Sequence, residues 1–494
     1  MTLWPFRRRP LHPRLRWPLD RPLLDWAAGE PFTLDDATKG VQVWGMTGSG
    51  KTSGSGRTLA KQYLRHGFGG LVLCAKPGEA QAWTEYAKIT GRAADLVVFS
   101  PSAPWRFNFL NYELTRPGAG AGLTENLVAL FAAVADLAGR GAGGGSGRDD
   151  DGYWRRSLQQ LLRNAIDLLV VATGRVSVPD LYRLVVSAPT APDQPADPGW
   201  RGRSFCWQCL ARGEDAAKPG YRSHDFQVAA DYWLLEFPAL SDKTRSVIVS
   251  TFTSMADVLN RGVLRELFCT ETTVTPDDCL AGKVVVVDLP VKEYADVGLF
   301  AAAVWKHQFQ RAVERRPAAD PDPRPVFLYA DEAHLFTGPT DALFQTTARS
   351  ARCCTVYLTQ TLNNYLAAYT GPAGRADALS LLGNLTTHVV HCLGDSDTAT
   401  FVADLIGRSR QLFMSQSSAG QPYDPIDDLL GRPTAQATAG FGEQLDFEVQ
   451  PADLMRQKCG GAPAYTVGGL VWRGGRPFGS TGRPYLWTAF DQRR

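Results

Sequence analysis

The sequence predicts an α/β fold: a mainly parallel sheet covered by helices, with an all-α domain inserted between its early and late strands. Three observations predict it. Short runs of β-branched and apolar residues without polar alternation read as strands buried on both faces. Amphipathic helical patterns alternate with several of these runs, as the crossovers between parallel strands require. The central stretch, from about residue 153 to 275, is patterned almost wholly as helix.

The strands are read, in order, at VQVW (41–44), LVLCA (71–75), DLVVFS (95–100), KVVVVDLP (283–290), VFLYAD (326–331), TVYLTQ (355–360) and THVVHCL (387–393). Helices are read at TLAKQYLRHG after the first strand, at 124–138, at 294–315 and at 340–352. YWRRSLQQLLRNAIDLLVV, VAADYWLLEF and SVIVSTFTSMADVL supply the helical insertion. Three stretches interrupt this order: a Gly-rich loop at 139–152, a Pro-rich linker at 187–203, and RRPAADPDPRP at 315–325, which closes a helix before a strand. The resulting division is a basic N-terminal arm (1–35), a core built from 36–152 and 276–410, the insertion at 153–275, and a C-terminal extension (411–494) containing a β-hairpin.

With 494 residues the chain exceeds one ordinary core, and its 44% apolar and 21% charged residues are those of a globular protein rather than a disordered one. The net charge of +2 selects no partner. Residues 1–22 carry six arginines against Asp20, which suits either contact with phosphates or an anionic membrane face, or a solvated tail. No apolar window reaches the 18 residues or so that a spanning helix needs, and the nine cysteines are scattered. A reducing cytoplasm is the expected location.

GMTGSGKT, Gly45-Met46-Thr47-Gly48-Ser49-Gly50-Lys51-Thr52, fits the phosphate-loop spacing G-x-x-x-x-G-K-[ST] between a strand and a helix. Glycines let backbone N–H groups turn onto phosphate oxygens, and the following helix directs its positive end at the same anion. Lys51 is expected on the β- and γ-phosphates of ATP, with Gly45, Thr47, Gly48, Ser49, Gly50, Thr52 and Ser53 completing the cradle and Thr52 ligating Mg²⁺. The strand VFLYA ends in Asp331-Glu332, expected respectively to hold the Mg²⁺ shell and to polarise the attacking water. TVYLTQ ends in Gln360, placed to sense the γ-phosphate or orient the water. Beyond Thr52, Gly54 and Gly56 each cost the next helix roughly 1 kcal/mol relative to alanine. That implies close approach by the nucleotide or by a neighbouring subunit's helix.

GMTGSGKT, LVLCAKPGE, VVFSPS with FNFLNY, YADEAHLF, SARCCTVYLTQ and GNLTTHVVHCLGDSDTATFVADLIG follow one another as in TraG-type coupling proteins of type IV secretion. The chain resembles these conjugative DNA-transfer ATPases of the FtsK/HerA superfamily over the core and the insertion. The resemblance implies a RecA-like core in a homo-hexameric ring that hydrolyses ATP and moves DNA, single- or double-stranded. It also implies an arginine acting on the neighbouring subunit's nucleotide, with Arg352 and Arg349 as candidates and Arg245 as an outside third. A relaxase, a secretion channel or a nuclease is the implied partner. The family normally begins with transmembrane helices. This sequence shows a short basic arm in their place, so either a partner recruits the chain to the inner face of the membrane or it is a cytoplasmic motor that kept the engine without the docking. The alternatives are a cytoplasmic HerA-like motor paired with a nuclease or defence effector, and a coupling ATPase handing protein to a secretion system.

Other features have plainer readings. Cys206 and Cys209 form a CxxC, with His224 some distance on but no second close pair, and read as small apolar residues on a helix; Cys353, Cys354 and His334 read as structural. His388 and His391 fall on opposite faces of a strand and cannot form a metal pair. Arg140 and Arg148 of the Gly-rich loop, beside Asp149–Asp151, and an Arg408-Ser409-Arg410 turn are the nearest thing to DNA-contacting loops.

Overall fold

The computed structural model describes residues 16–141, 150–216, 221–317, 320–420, 430 and 435–493. Its strands are β1 (Pro22–Asp25), β2 (Pro31–Thr33), β3 (Val41–Trp44), β4 (Gly69–Leu73), β5 (Leu96–Phe99), β6 (Val284–Val287), β7 (Val326–Ala330), β8 (Cys353–Thr359), β9 (Thr387–Val390), β10 (Arg408–Gly420), β11 (Ala435–Phe447), β12 (Thr466–Arg473) and β13 (Tyr485–Asp491). The chain divides into two compact units. The first comprises 1–24, 33–40 and 59–357, and the second 25–32, 41–58 and 358–494.

In the first unit β4 is paired in parallel with both β6 and β7, β5 with β6, and β7 with β8. The residues explain the pairing. Val284–Val287 is four valines, and every residue of β4, β6, β7 and β8 is buried, so these strands have no solvent face. Gly70 is required inside β4 because a Cβ there would lie 2.6 Å from the Phe327 ring of β7. The helix Asp296–Glu314 is buried nearly all round, with the Trp305 ring edge-on to Phe99 and tilted against Phe107.

Between β5 and β6 the described residues are almost entirely helical, from Phe109–Thr115 and Thr124–Gly141 to Asp242–Leu259 and Gly262–Phe268. The two ends of this excursion are stitched together. The Phe107 amide donates to the Leu267 carbonyl at 2.7 Å and the Asn108 amide to that of Glu271 at 3.1 Å. Cys206 and Cys209 lie buried on the helix Phe205–Ala216, as small apolar residues do.

In the second unit β3 pairs in parallel with β9, and β9 pairs antiparallel with β12, which pairs antiparallel with β13. The C-terminal hairpin read from the sequence therefore extends this sheet. The strand read at 387–393 stops at Val390, and Arg408-Ser409-Arg410, read as a turn, starts the strand β10. No helix among the described residues is long and apolar enough to cross a membrane.

Part of the segment read as a basic arm is folded. The Trp17 amide donates to Asp322 Oδ1 at 3.0 Å, Arg324 lies over the Trp17 ring, and Thr33 caps the helix Leu34–Thr38. Arg7, Arg8, Arg9 and Arg14 of the arm, and Arg148 of the Gly-rich loop, lie outside the described residues.

Candidate nucleotide site

The phosphate loop leaves β3 in the second unit. The Gly45 amide donates to the Thr359 carbonyl (3.3 Å) and the Met46 amide to that of Cys392 (2.9 Å), so the ends of β8 and β9 fix where the loop starts. Gly48 and Gly50 have φ of +80° and +86°, the left-handed backbone that lets successive N–H groups converge. Among the described residues the amides of Thr47, Gly48 and Gly50 meet no acceptor. Ser49 Oγ is likewise buried without a partner. A Cβ at Gly45 would collide with that hydroxyl, and one at Gly50 would lie 2.5 Å from Val467 Cγ2. Open donors on a glycine nest beside an orphaned hydroxyl are what a polyphosphate satisfies, so this loop fits ATP.

The residues after the loop correct one expectation. Thr52–Gly56 form a single π turn, with the Gly56 amide bonded to the Lys51 carbonyl at 2.9 Å, before the helix Arg57–Arg65 begins. A Cβ on Gly54 would lie 3.4 Å from Phe490 Cβ and 3.6 Å from Val467 Cβ. The element packed on this turn is thus the chain's own β12–β13 hairpin. Gln492 closes the contact: its Nε2 donates to Ser53 Oγ at 2.6 Å, and its carbonyl accepts from Arg57 Nη1 at 2.6 Å. Ser53, read as a phosphate ligand, is therefore already held by Gln492. Gln492→Ala is expected to weaken binding of an ATP analogue about 3- to 10-fold, through loss of a hydrogen bond of about 1 kcal/mol. Fluorescence titration with a labelled nucleotide checks this.

His391 and His388 lie under the same loop in separate networks. His391 Nδ1 donates to the Gly468 carbonyl and its Nε2 accepts from Ser55 Oγ, each at 2.7 Å. His388 Nδ1 accepts from Trp44 Nε1 at 3.1 Å and its Nε2 donates to the Leu385 carbonyl at 2.9 Å. Indole N–H can only donate, which fixes His388 as the neutral Nε2–H tautomer. Burial depresses both imidazoles to about 4. The unfolded chain takes up these protons below its ordinary value near 6.5, the folded chain only near 4, so stability present above pH 6.5 is lost as pH falls toward 4. For His388 the shift corresponds to about 3 kcal/mol. The chemical denaturation midpoint is expected to fall between pH 7 and 4.5, and His388→Gln to flatten that slope.

The carboxylates belong to the first unit. Because β4 and β7 are parallel neighbours, the residues beyond their C-terminal ends share one edge of the sheet. Asp331 and Glu332 follow β7 and are both buried. Glu332 has φ +52°, a strained left-handed backbone for a non-glycine residue, and its amide donates to Asp331 Oδ1 at 2.9 Å. Lys76, beyond β4, donates to Glu332 Oε1 at 2.5 Å and stands 3.8 Å from Asp331 Oδ2. Partial burial pulls the Lys76 ammonium down, but Asp331 and Glu332 together hold it above the usual lysine value. Glu79 completes the group. Its Oε2 accepts from the Ala75 amide at 2.8 Å, and burial, with Asp331 nearby, raises its carboxyl to about 8. Sequence reading quoted LVLCAKPGE without giving Lys76 or Glu79 a role. The signal was their place after a buried parallel strand, at the same sheet edge as the acids.

Gln360 follows β8 directly, ahead of the helix Leu362–Ala368. The two arginine candidates are engaged within the first unit. Arg349 pairs with Asp35 at 3.0 Å and is largely exposed; Arg352 (φ +55°) donates to the Trp17 carbonyl at 3.2 Å. Arg245 is buried and donates to the Leu240 carbonyl at 3.0 Å, as a helix-start brace does. Arg408 and Arg410 pair with Asp404 (3.1 Å) and Glu443 (3.5 Å). Among the described residues no three His, Cys, Asp or Glu side chains could together hold a metal.

Residues 325–436 match the family model described as the TraM recognition site of TraD and TraG. No curated protein sequence matches the chain. Among solved structures, the unbound bacterial conjugative coupling protein TrwBdeltaN70 aligns over 96% of this chain and 89% of its own, at 15% identity and a TM-score of 0.58. TrwB in complex with ADP and Mg²⁺ aligns over 96% and 90%, at 15% identity and 0.59. The complex of TrwB with the non-hydrolysable GTP analogue GDPNP gives the same coverages, identity and score. The chain has the mixed, mostly parallel α/β fold of the TrwB coupling protein, the RecA-like architecture expected from its motifs.

Proposed function

We propose that this chain is an ATP-hydrolysing motor that moves DNA, a coupling protein of the conjugative kind working as a homo-hexamer. The observation that carries nucleotide binding is the loop Gly45–Thr52, where the amides of Thr47, Gly48 and Gly50 and the Ser49 hydroxyl have no partner among the described residues. Lys51 and the amides of Thr47, Gly48 and Gly50 bind the phosphates. Thr52 and Asp331 hold Mg²⁺, which neutralises charge on the β- and γ-phosphates. Glu332, hydrogen-bonded by Lys76, takes a proton from the attacking water; Gln360 orients that water. Arg349 or Arg352 meets transition-state charge in the adjacent subunit, once released from its partner in the first unit. DNA as cargo is supported by the likeness to a conjugative coupling protein along nearly the whole chain. The match to a TraM recognition site supports a protein partner from the DNA-processing side.

The test is steady-state ATP turnover with and without single- and double-stranded DNA across a salt series. A motor on DNA is expected to be stimulated, and the stimulation to fall steeply as salt displaces phosphate contacts. A turnover indifferent to every nucleic acid would remove DNA as the cargo and favour protein delivery.

A further inference from the structure

The strands β10 and β11 form a separate two-stranded antiparallel ribbon, 13 residues on each side, in unbroken register from Arg408–Phe447 to Gly420–Ala435. At ordinary strand rise it is about 40 Å long. Its base is secured by Arg408, which pairs with Asp404 and lies over Phe447, and by Gln411 Nε2, which donates to the Phe447 carbonyl. Farther out, among described residues 412–415 and 440–445, the hydrogen bonds and ion pairs stay within the ribbon.

The register places Arg410 opposite Leu445, Leu412 opposite Glu443, and Met414 opposite Phe441. Directly paired residues share a face, as do residues two apart on one strand. Leu412, Met414, Phe441 and Leu445 therefore form one continuous apolar stripe, and they are 75%, 70%, 73% and 61% exposed. The other face is small and polar, carrying Gln411, Ser415, Gly440, Gly442 and Gln444, with Phe413 its single large apolar residue over this length. An isolated two-stranded ribbon is marginal in water, so a long one with an apolar face calls for a cover.

We infer that this stripe docks on an adjacent copy of the same chain and ties neighbouring subunits together, an inference that rests on the proposed ring. Charge speaks against nucleic acid and membrane as occupants. Among the described residues the charges on this face are each paired, Arg410 with Glu443 at 3.5 Å and Arg408 at the base with Asp404 at 3.1 Å, so no free charge is left to attract nucleic acid or an anionic bilayer. Area agrees. The four exposed side chains offer roughly 500 Å², so docking removes about 1,000 Å² from both surfaces, the lower bound of a specific interface. A 40 Å reach suits a head-to-tail contact, the kind that closes a ring.

The experiment compares the wild-type chain, Leu412→Glu/Phe441→Glu, and the opposite-face control Phe413→Glu by light scattering over a concentration series, with ADPNP and Mg²⁺. Circular dichroism verifies that all three are folded. The double variant is expected to need at least about tenfold more protein for half-assembly, with the control unchanged. A photo-crosslinker at Met414 is expected to yield a covalent dimer. Assembly of the double variant at wild-type concentrations would overturn the inference and leave the ring standing. A wild-type chain that stays monomeric would overturn both, with DNA-stimulated turnover still judging the ATPase reading separately. Crosslinking to DNA or to a different protein, without a dimer, would also overturn it.

Discussion

Glu332→Gln is expected to lower ATP turnover by about 10³-fold while leaving nucleotide affinity within about threefold of wild type. The side chain is buried, its backbone is held left-handed at the end of β7, and Lys76 donates to one of its oxygens at 2.5 Å. Glutamine keeps the shape and can still accept that hydrogen bond, so the fold should tolerate the change. What the substitution removes, on the proposed role, is the carboxylate that takes up the water's proton. Lys51→Ala makes the complementary loss, removing affinity for the nucleotide together with turnover. Phosphate-release kinetics and labelled-nucleotide titration on both variants separate the two effects. Retention of a tenth of wild-type turnover by Glu332→Gln would exclude it as the base.

The second large effect is on stability. Lys306, from the buried helix Asp296–Glu314, donates to Asp341 Oδ2 at 2.6 Å and to the Phe336 carbonyl at 2.5 Å. Asp341 also accepts from Gln310 Nε2 (2.8 Å), the Gly338 amide (2.7 Å) and the Tyr357 hydroxyl (3.3 Å). Both ions are almost completely buried, so neither can recover its hydration when the other is removed. Lys306→Met is expected to cost about 3–5 kcal/mol, because it strands the Asp341 carboxylate in the interior. Lys306→Met/Asp341→Asn should restore part of that loss by deleting the stranded charge. Chemical denaturation followed by tryptophan fluorescence measures both; a loss under about 1 kcal/mol in the single variant would mean that the pair does not anchor this segment. The same node fixes the loop after Glu332, since Phe336 and Gly338 lie on it and Asp341 lies in the first turn of the helix Pro339–Ala348 that follows.

The strands most fully buried were the most legible in the sequence. Val284–Val287 and Val326–Ala330 have no solvent face, so composition alone identified them. The phosphate loop was legible because its chemistry demands a fixed spacing of glycines, lysine and hydroxyl. Lys76 and Glu79 were not, because a lysine and a glutamate after a strand are ordinary until parallel pairing of β4 with β7 brings them to the acids. Gly54 illustrates the same limit: its small size announced a close neighbour, but only the pairing of β12 with β9 shows that Val467 and Phe490 are that neighbour.

By itself, then, the sequence determined the α/β class, the position of the phosphate loop, and the carboxylate pair at the end of a buried strand, because local spacing and strand hydrophobicity encode these directly. Only the tertiary structure decided what surrounds them: Lys76 on Glu332, Gln492 on Ser53, Lys306 on Asp341, and one exposed stripe from Leu412, Met414, Phe441 and Leu445. Each of these rests on strand register or helix docking between residues far apart in the chain. Such contacts are fixed by the packing of the whole unit, and no local pattern carries them.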